Sequence, residues 1–255
     1  MQCVEKAGVF SSLQSDILRL QGFKPSNSSN VDLGLNAIKH AFPNASFPIG
    51  CVHEFLSGGN ENSAATNGFI AGLLASLLGT SGIALWISSG RTLFPPSLKR
   101  FGIEPDRFIF VDVHHEKDVL WAIDEALKCR ALTAVVGEIP DLSFTESRRL
   151  QLATEQSQVT AFLLRTRTKN VNTTACVSRW RISSLASEQV DDLPGIGYPK
   201  WKVELLKIRN GRTGSWEVKW INGQFKFAYD QAALKVVRDH SPMDNIISAD
   251  QKKAG

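Results

Sequence analysis

The stretch CVHEFLSGGNENSAATNGFIAGLLASLLG, residues 51–79, decides the fold. CVHEFLS (51–57) has strand character, GGNENSAAT (58–66) is a glycine-led turn, and NGFIAGLLASLLG (67–79) is an apolar helix rich in small residues. A strand, a glycine-rich turn and a helix, in that order, form the setting of a phosphate-binding loop. Backbone N–H groups and the helix N-terminus cradle phosphate in such a loop.

The neighbouring segments continue the alternation. IALWISS (83–89), RFIFVDV (107–113), LTAVVGEI (132–139) and VTAFLLRTR (159–167) read as strands. LGLNAIKHAF (33–42), PPSLKRFG (95–102), EKDVLWAIDEALKC (116–129) and FTESRRLQLATEQSQ (144–158) read as helices. The expected fold is therefore α/β, a mostly parallel sheet flanked by helices. The tail changes character: TACVSRWRISS (174–184), WKVELLKIRNG (201–211), GSWEVKWING (214–223) and QFKFAY (224–229) alternate as strands. Asn210–Gly211 and Asn222–Gly223 are hairpin signals, because a type I′ turn needs φ > 0 at both central residues. Antiparallel C-terminal strands are expected, with 185–200 as a loop. At the other end, residues 9–21 place Leu13, Ile17 and Leu20 on one helical face, ahead of a polar linker at 24–30. The expected organisation is an N-terminal helix and linker (1–30), a core domain (31–239) and a flexible tail (240–255).

Composition narrows the class. The 255 residues are 43% hydrophobic and 21% charged, in the range of a globular domain. No apolar run approaches the ~18 residues of a membrane span, and the N-terminal MQCVEKAGVF has no apolar signal core. A cytoplasmic location away from membranes is expected. Cys3, Cys51, Cys129 and Cys176 are scattered, so neither a metal site nor a disulfide framework is indicated. The net charge of +4 is unevenly spread. Residues 1–128 hold 10 Lys+Arg against 12 Asp+Glu, and residues 129–255 hold 19 against 13. Within 148–181, Arg148, Arg149, Arg165, Arg167, Lys169, Arg179 and Arg181 face a lone acid, Glu155. Such asymmetry suggests a partner carrying phosphates or acidic groups.

The turn lacks what nucleotide chemistry needs, a lysine for the β/γ-phosphates and a Ser/Thr for magnesium. It reads Ser57, Gly58, Gly59, Asn60, Glu61, Asn62, Ser63, Ala64, Ala65, Thr66, and no lysine occurs between Lys39 and Lys99. With Gly58 as the first glycine, Ala64 takes the lysine position; with Ser57 there, Ser63 does. Glu61 would repel a polyphosphate. The turn is a degenerate P-loop, and neither a cofactor nor a catalytic residue is expected.

The order of segments resembles the RecA-type recombinase core, and more closely the ImuA family of bacterial error-prone repair proteins. The resemblance runs over residues 9–229, through VFSSLQSDILRLQGFK, AFPNASFPIGCVHEFLS, ALWISSGRTLFPPSLKRFGIEPDRFIFV, LWAIDEALKCRALTAVVGEI, SRRLQLATEQSQVTAFLLRTR, VSRWRI and PKWKVELLKIRNGRTGSW. Where RecA places a catalytic glutamate, this chain reads Ser88-Ser89-Gly90-Arg91. Where RecA ends its Walker B strand on aspartate, it reads Gly137, with Glu138 one residue later and so turned to the other face. RecA's two DNA loops are shortened to PDLSFTES and to the basic RTRTKNVNTT.

The resemblance implies a non-catalytic accessory protein in SOS-type translesion synthesis. Its implied partners are a Y-family-like polymerase subunit (ImuB-like) and RecA, with single-stranded DNA a further candidate. Arg148, Arg149, Arg165, Arg167 and Lys169 are the expected DNA or partner contacts; the last three alternate, which puts them on one side of an extended segment. Leu13, Ile17 and Leu20 are the expected docking face. Two alternatives stand beside this reading: a DNA-stimulated ATPase using Ser63 or Thr66 with backbone amides, and a SulA-type cell-division inhibitor. Among other residues, His114–His115 is expected as a loop edge and His53 as a satisfied core histidine. Ser88-Ser89-Gly90 lacks nucleophile-elbow spacing. Trp180, Trp201, Trp216 and Trp220 are expected to pack rather than stack on bases, and Trp86 and Trp121 to lie in the core.

Overall fold

A computed structural model describes residues 32–90, 93–166, 171–188 and 197–227. Among these residues nine strands form one sheet: β1 (Val52–Leu56), β2 (Ala84–Ser88), β3 (Phe108–Asp112), β4 (Ala134–Ile139), β5 (Thr160–Arg165), β6 (Ser178–Glu188), β7 (Tyr198–Ile208), β8 (Gly214–Ile221) and β9 (Gln224–Phe227). Their order is β3-β2-β4-β5-β1-β6-β7-β8-β9. The first six are parallel, and β7, β8 and β9 add as antiparallel neighbours. This is the RecA-like α/β architecture expected from the sequence, with its antiparallel C-terminal strands.

Among the described residues three α-helices cover the sheet: α1 (Asn60–Leu78), α2 (Glu116–Ala126) and α3 (Phe144–Ser157). Alternate strand residues feed two cores. Phe55, Trp86, Val136, Phe162, Trp180 and Trp201 pack with Phe69, Leu73 and Leu74 of α1 on one face. Val52, Ile87, Val135, Ala161 and Leu163 pack with Ile123 and Leu127, and with Leu150 of α3, on the other. α1 lies unusually close to the sheet. A Cβ on Gly68 would stand 2.9 Å from Trp201 Cζ2, and one on Gly72 2.5 Å from Phe225 Cζ. Glycine in a helix interior costs up to ~1 kcal/mol against alanine; here it admits the tryptophan and phenylalanine rings of the antiparallel strands.

Several expectations need correction. β6 does not belong to the antiparallel extension expected for 174–184: it pairs parallel to β1, Glu54 opposite Arg179 and Phe55 opposite Trp180. The expected loop at 185–200 is shorter, since β6 runs to Glu188 and β7 opens at Tyr198. The segments 33–42 and 95–102 form 3-10 turns, Ile38–Ala41 and Pro95–Phe101, rather than α-helices. Asn222 and Gly223 take φ 51° and 75° as a type I′ turn requires, whereas at 210–211 only Asn210 is positive, φ 58°. Gly211 serves close approach instead, because its Cβ would strike the Ala41 carbonyl oxygen. Trp121 is not in the core: it is 65% exposed on α2. The expected N-terminal helix and the tail at 240–255 lie outside the described residues.

Candidate functional site

The glycine turn is far shorter than its sequence implies. β1 ends at Leu56 and α1 begins at Asn60, leaving Ser57, Gly58 and Gly59 between them. Gly59 has φ 80° and ψ 161°, a region that only glycine occupies readily. The polar residues that read as turn formers are the first turns of α1, and they close on it. Asn62 Nδ2 donates to the Gly58 carbonyl at 2.9 Å. Ser63 donates to the Gly59 carbonyl from its backbone N–H at 3.0 Å and from Oγ at 2.9 Å. Thr66 Oγ1 donates to the Asn62 carbonyl at 2.7 Å. A P-loop keeps its G-x-x-x-x-G-K-S/T residues largely outside the helix, looped around phosphate. Here residues 60–66 are helical, so the loop is missing along with its lysine. The Ser63 and Thr66 hydroxyl protons are directed into α1's own backbone.

The two carboxylate positions are absorbed by packing. Ser88, at the end of β2, is buried, and its carbonyl accepts the Val113 N–H at 2.9 Å. At Gly137 any Cβ would run into Ile123 Cδ1 of α2. Glu138 alternates to the α1 face, as its one-residue offset predicts, and is buried there with Oε1 accepting the Trp86 indole N–H at 2.8 Å.

Sequence reasoning missed the main charged cluster. Glu54 is fully buried in β1. Its Oε1 accepts from Arg165 Nη1 at 2.6 Å, and its Oε2 accepts from Arg179 Nε at 2.7 Å and Thr174 Oγ1 at 2.9 Å. Arg165 also pairs with Asp141. Because β5 and β6 run parallel, the chain between them must return along the sheet. Its described part, residues 171–177, does so without a helix. Arg179 Nη2 donates to the Asn172 carbonyl at 2.7 Å, Lys207 Nζ to the Thr174 carbonyl at 2.6 Å, and the Ala175 N–H to Ser147 Oγ at 2.9 Å. Burial, together with the neighbouring Arg179 charge, pushes the Lys207 pKa below its ordinary value. The other shortened connection is fixed too: Leu142 is buried, and Ser143 and Glu146 cap α3 reciprocally. The S-x-x-E spacing of Ser143–Glu146 was a legible signal for that cap.

No family model matches the chain. Two relatives do, each called Protein ImuA, from Caulobacter vibrioides strains NA1000 / CB15N and ATCC 19089 / CIP 103742 / CB 15. Each is 32% identical over 198 residues, which is 73% of this chain and 81% of the relative. The chain belongs to the ImuA family.

The described basic residues of this ImuA-family chain do not share one surface. Arg148 and Arg149 are exposed on α3, and Arg149 Nε lies 3.3 Å from Asp124 Oδ1 on α2. Arg165 faces inward with a fully buried side chain, locked by Glu54 and Asp141, so its expected contact with DNA is corrected. Alternation put Arg165 on one side of an extended segment, and that side is the protein interior. Arg167, Lys169, Leu13, Ile17 and Leu20 lie outside the described residues.

The remaining candidates are structural in setting. His114 and His115 are exposed, and no group of metal-binding side chains occurs among the described residues. His53 is buried: its Nε2–H donates to the Pro48 carbonyl at 2.8 Å, and Nδ1 accepts from Ser178 Oγ at 2.6 Å. The Trp180 indole donates to the same Ser178 oxygen at 2.7 Å, completing the chain. Burial lowers the His53 pKa to about 4. Trp180, Trp201 and Trp220 are buried, and Trp216 packs against the same core. Among the described residues no helix is long and apolar enough to cross a membrane.

Proposed function

We propose that this chain is a non-catalytic accessory protein of the ImuA/ImuB mutagenesis system. It serves SOS-type translesion synthesis in the cytoplasm through contacts with a Y-family-like, ImuB-like polymerase subunit, with RecA and with single-stranded DNA. Family membership supports the system. The observation that supports a non-catalytic role is the start of α1 at Asn60, directly after Gly59, which leaves no loop to hold a polyphosphate. The RecA-like sheet then serves as a scaffold for surfaces, with Leu13, Ile17 and Leu20 as the polymerase docking face. Arg148, Arg149, Arg167 and Lys169 meet DNA or a partner.

The test is a pull-down of the tagged full-length chain, and of a variant lacking residues 1–30, from DNA-damaged cells. ATP turnover with and without single-stranded DNA is measured alongside. The expected result is a polymerase subunit recovered with the full chain and lost on truncation, with no turnover above buffer. Turnover that rises with DNA, and falls in Glu138→Gln, would overturn the non-catalytic reading. Retention of the polymerase after truncation would overturn the docking assignment.

A further inference from the structure

A cavity of about 490 Å³ lies between α1, the 3-10 turn Pro95–Phe101 and the strands β6 and β7. Cavities of roughly 300–1,000 Å³ with apolar walls and a few placed polar groups are the usual form of a binding site. α1 contributes the small residues Ala64, Gly68 and Ala71, so its backbone forms a flat floor. Phe101 and Trp201 form a wall, their rings inclined by only 18° with centroids 6.4 Å apart. Phe94 lines the mouth and is 69% exposed. This shape suits a flat aromatic ring.

Asn67 of α1 adds a polar group to the same cavity while only 7% exposed. Its Oδ1 is buried without a hydrogen-bond partner. An unmade bond at a buried acceptor costs stability, so its presence calls for a donor from elsewhere. The last side-chain torsion of asparagine has two broad wells, and a turn about it presents the acceptor to a group in the cavity. The chain's own tryptophans show one kind of donor that such a setting takes. The Trp86, Trp180 and Trp220 indoles donate to Glu138 Oε1 at 2.8 Å, Ser178 Oγ at 2.7 Å and the Arg100 carbonyl at 3.2 Å.

We infer that this cavity binds a tryptophan side chain presented by a partner polypeptide, with the indole N–H donating to Asn67 Oδ1. Indole is flat, apolar and donor-only, which matches aromatic walls around an unsatisfied acceptor. Tryptophan is also the residue most enriched among the buried anchors of protein interfaces. The rim is charge-balanced: Glu61 and Arg100 are both exposed there, and Lys200 lies 2.8 Å from Glu217. A nucleotide fits less well, because Glu61 repels its phosphate. A free indole compound leaves exposed Phe94 unused, whereas the residue beside a tryptophan in a peptide packs on it. The inference goes beyond the proposed function and does not rest on it.

The test is saturation-transfer NMR titration of the full-length chain with N-acetyl-tryptophanamide and with its 1-methylindole analogue, which has no N–H to donate. The parent chain is expected to bind the first saturably and the second about fivefold more weakly, the worth of one hydrogen bond. In Asn67→Leu that difference should vanish, with circular dichroism as the folding check. The capped peptide N-acetyl-Ala-Trp-Leu-amide should bind more tightly than N-acetyl-tryptophanamide, and Phe94→Ser should remove that gain. Equal binding of the two indoles by the parent chain, or no saturable binding of either, overturns the inference without recourse to any variant. A peptide that binds no more tightly than the amide overturns the polypeptide source. Adenosine displacing N-acetyl-tryptophanamide at a lower concentration than the amide itself requires assigns the cavity to a nucleobase and overturns the assignment to tryptophan. None of these outcomes bears on recovery of a polymerase subunit in the pull-down, so the two readings fail separately.

Discussion

Glu54→Gln is expected to destabilise the fold more than any other single charge-neutralising change among the described residues. The carboxylate presents two acceptors, Oε1 to Arg165 and Oε2 to Arg179 and Thr174. A glutamine keeps one acceptor and turns the other into an N–H₂ donor, which must face either Arg165 or the Arg179–Thr174 pair. Neither orientation satisfies both sides. Arg165 is fully buried and cannot recover water, and its Nε already lacks a partner. Removing one partner of a buried ion pair costs about 3–5 kcal/mol. At roughly 2–4 °C per kcal/mol for a domain of this size, the midpoint should fall by about 6–20 °C. The assay is urea unfolding followed by tryptophan fluorescence, with thermal melts in parallel. Should Glu54→Gln not fold, Thr174→Val provides a milder probe. It removes one hydrogen bond to the carboxylate and should cost about 1.5–3 kcal/mol. A loss below about 1 kcal/mol in Glu54→Gln would refute the view that this carboxylate holds β1, β5 and β6 together.

Four further outcomes follow from individual contacts. Gly137→Ala should lose about 1–3 kcal/mol by overpacking, and Ile123→Val, which trims the colliding side chain, should recover part of it in a urea series. His53 keeps its pKa near 4 by burial, below its ordinary 6.5. As pH falls from 6.5 toward 4 the unfolded chain takes up a proton that the folded chain refuses, so stability drops by about 1.4 kcal/mol per pH unit. Urea midpoints at pH 7 and pH 5 should show that slope, and an unchanged slope in His53→Gln would contradict it. Burial pushes the Cys51 and Cys176 thiols up to about 12, so among the described cysteines a thiol reagent should label exposed Cys129 in the native protein and Cys51 and Cys176 only on unfolding, as read by peptide mass spectrometry. Trp121→Ala should change stability by no more than about 0.5 kcal/mol, because the ring is solvent-exposed.

The strands were legible because burial imposes their pattern. Ala84–Ser88, Ala134–Ile139 and Thr160–Arg165 are apolar runs with nearly every residue buried, as a parallel sheet covered on both faces demands. The direction of β6 was not legible, since alternation marks a half-exposed strand and says nothing of its neighbour. The start of α1 is hidden in the sequence for a local reason. Asn60, Asn62 and Ser63 are turn formers by composition, but the same side-chain bonds to nearby carbonyls that favour turns also fit the first turn of a helix. The Glu54 cluster had no local signal at all, its partners lying 111, 120 and 125 residues away.

The positions where RecA-like resemblance would seat ATPase groups are each engaged in holding the fold. Ser63 and Thr66 close the first turns of α1, Ile123 fills the space at Gly137, and Glu138 accepts the Trp86 indole. The stretch 171–177, where a mobile DNA loop would belong, is pinned by Thr174 to Glu54 and by Ala175 to α3. These engagements are mutually supporting. Lengthening the turn at Gly59 would unwind α1, and α1 carries Gly68 and Gly72 against the aromatic rings that anchor β7–β9. A lysine at Ala64 alone therefore leaves the backbone cradle unbuilt, and Ala64→Lys should bind fluorescent ATP no better than the parent chain. Saturable binding by that variant at micromolar nucleotide would mean that α1 unwinds readily from Asn60. The geometry at Gly59 would then be one state of the turn rather than its limit.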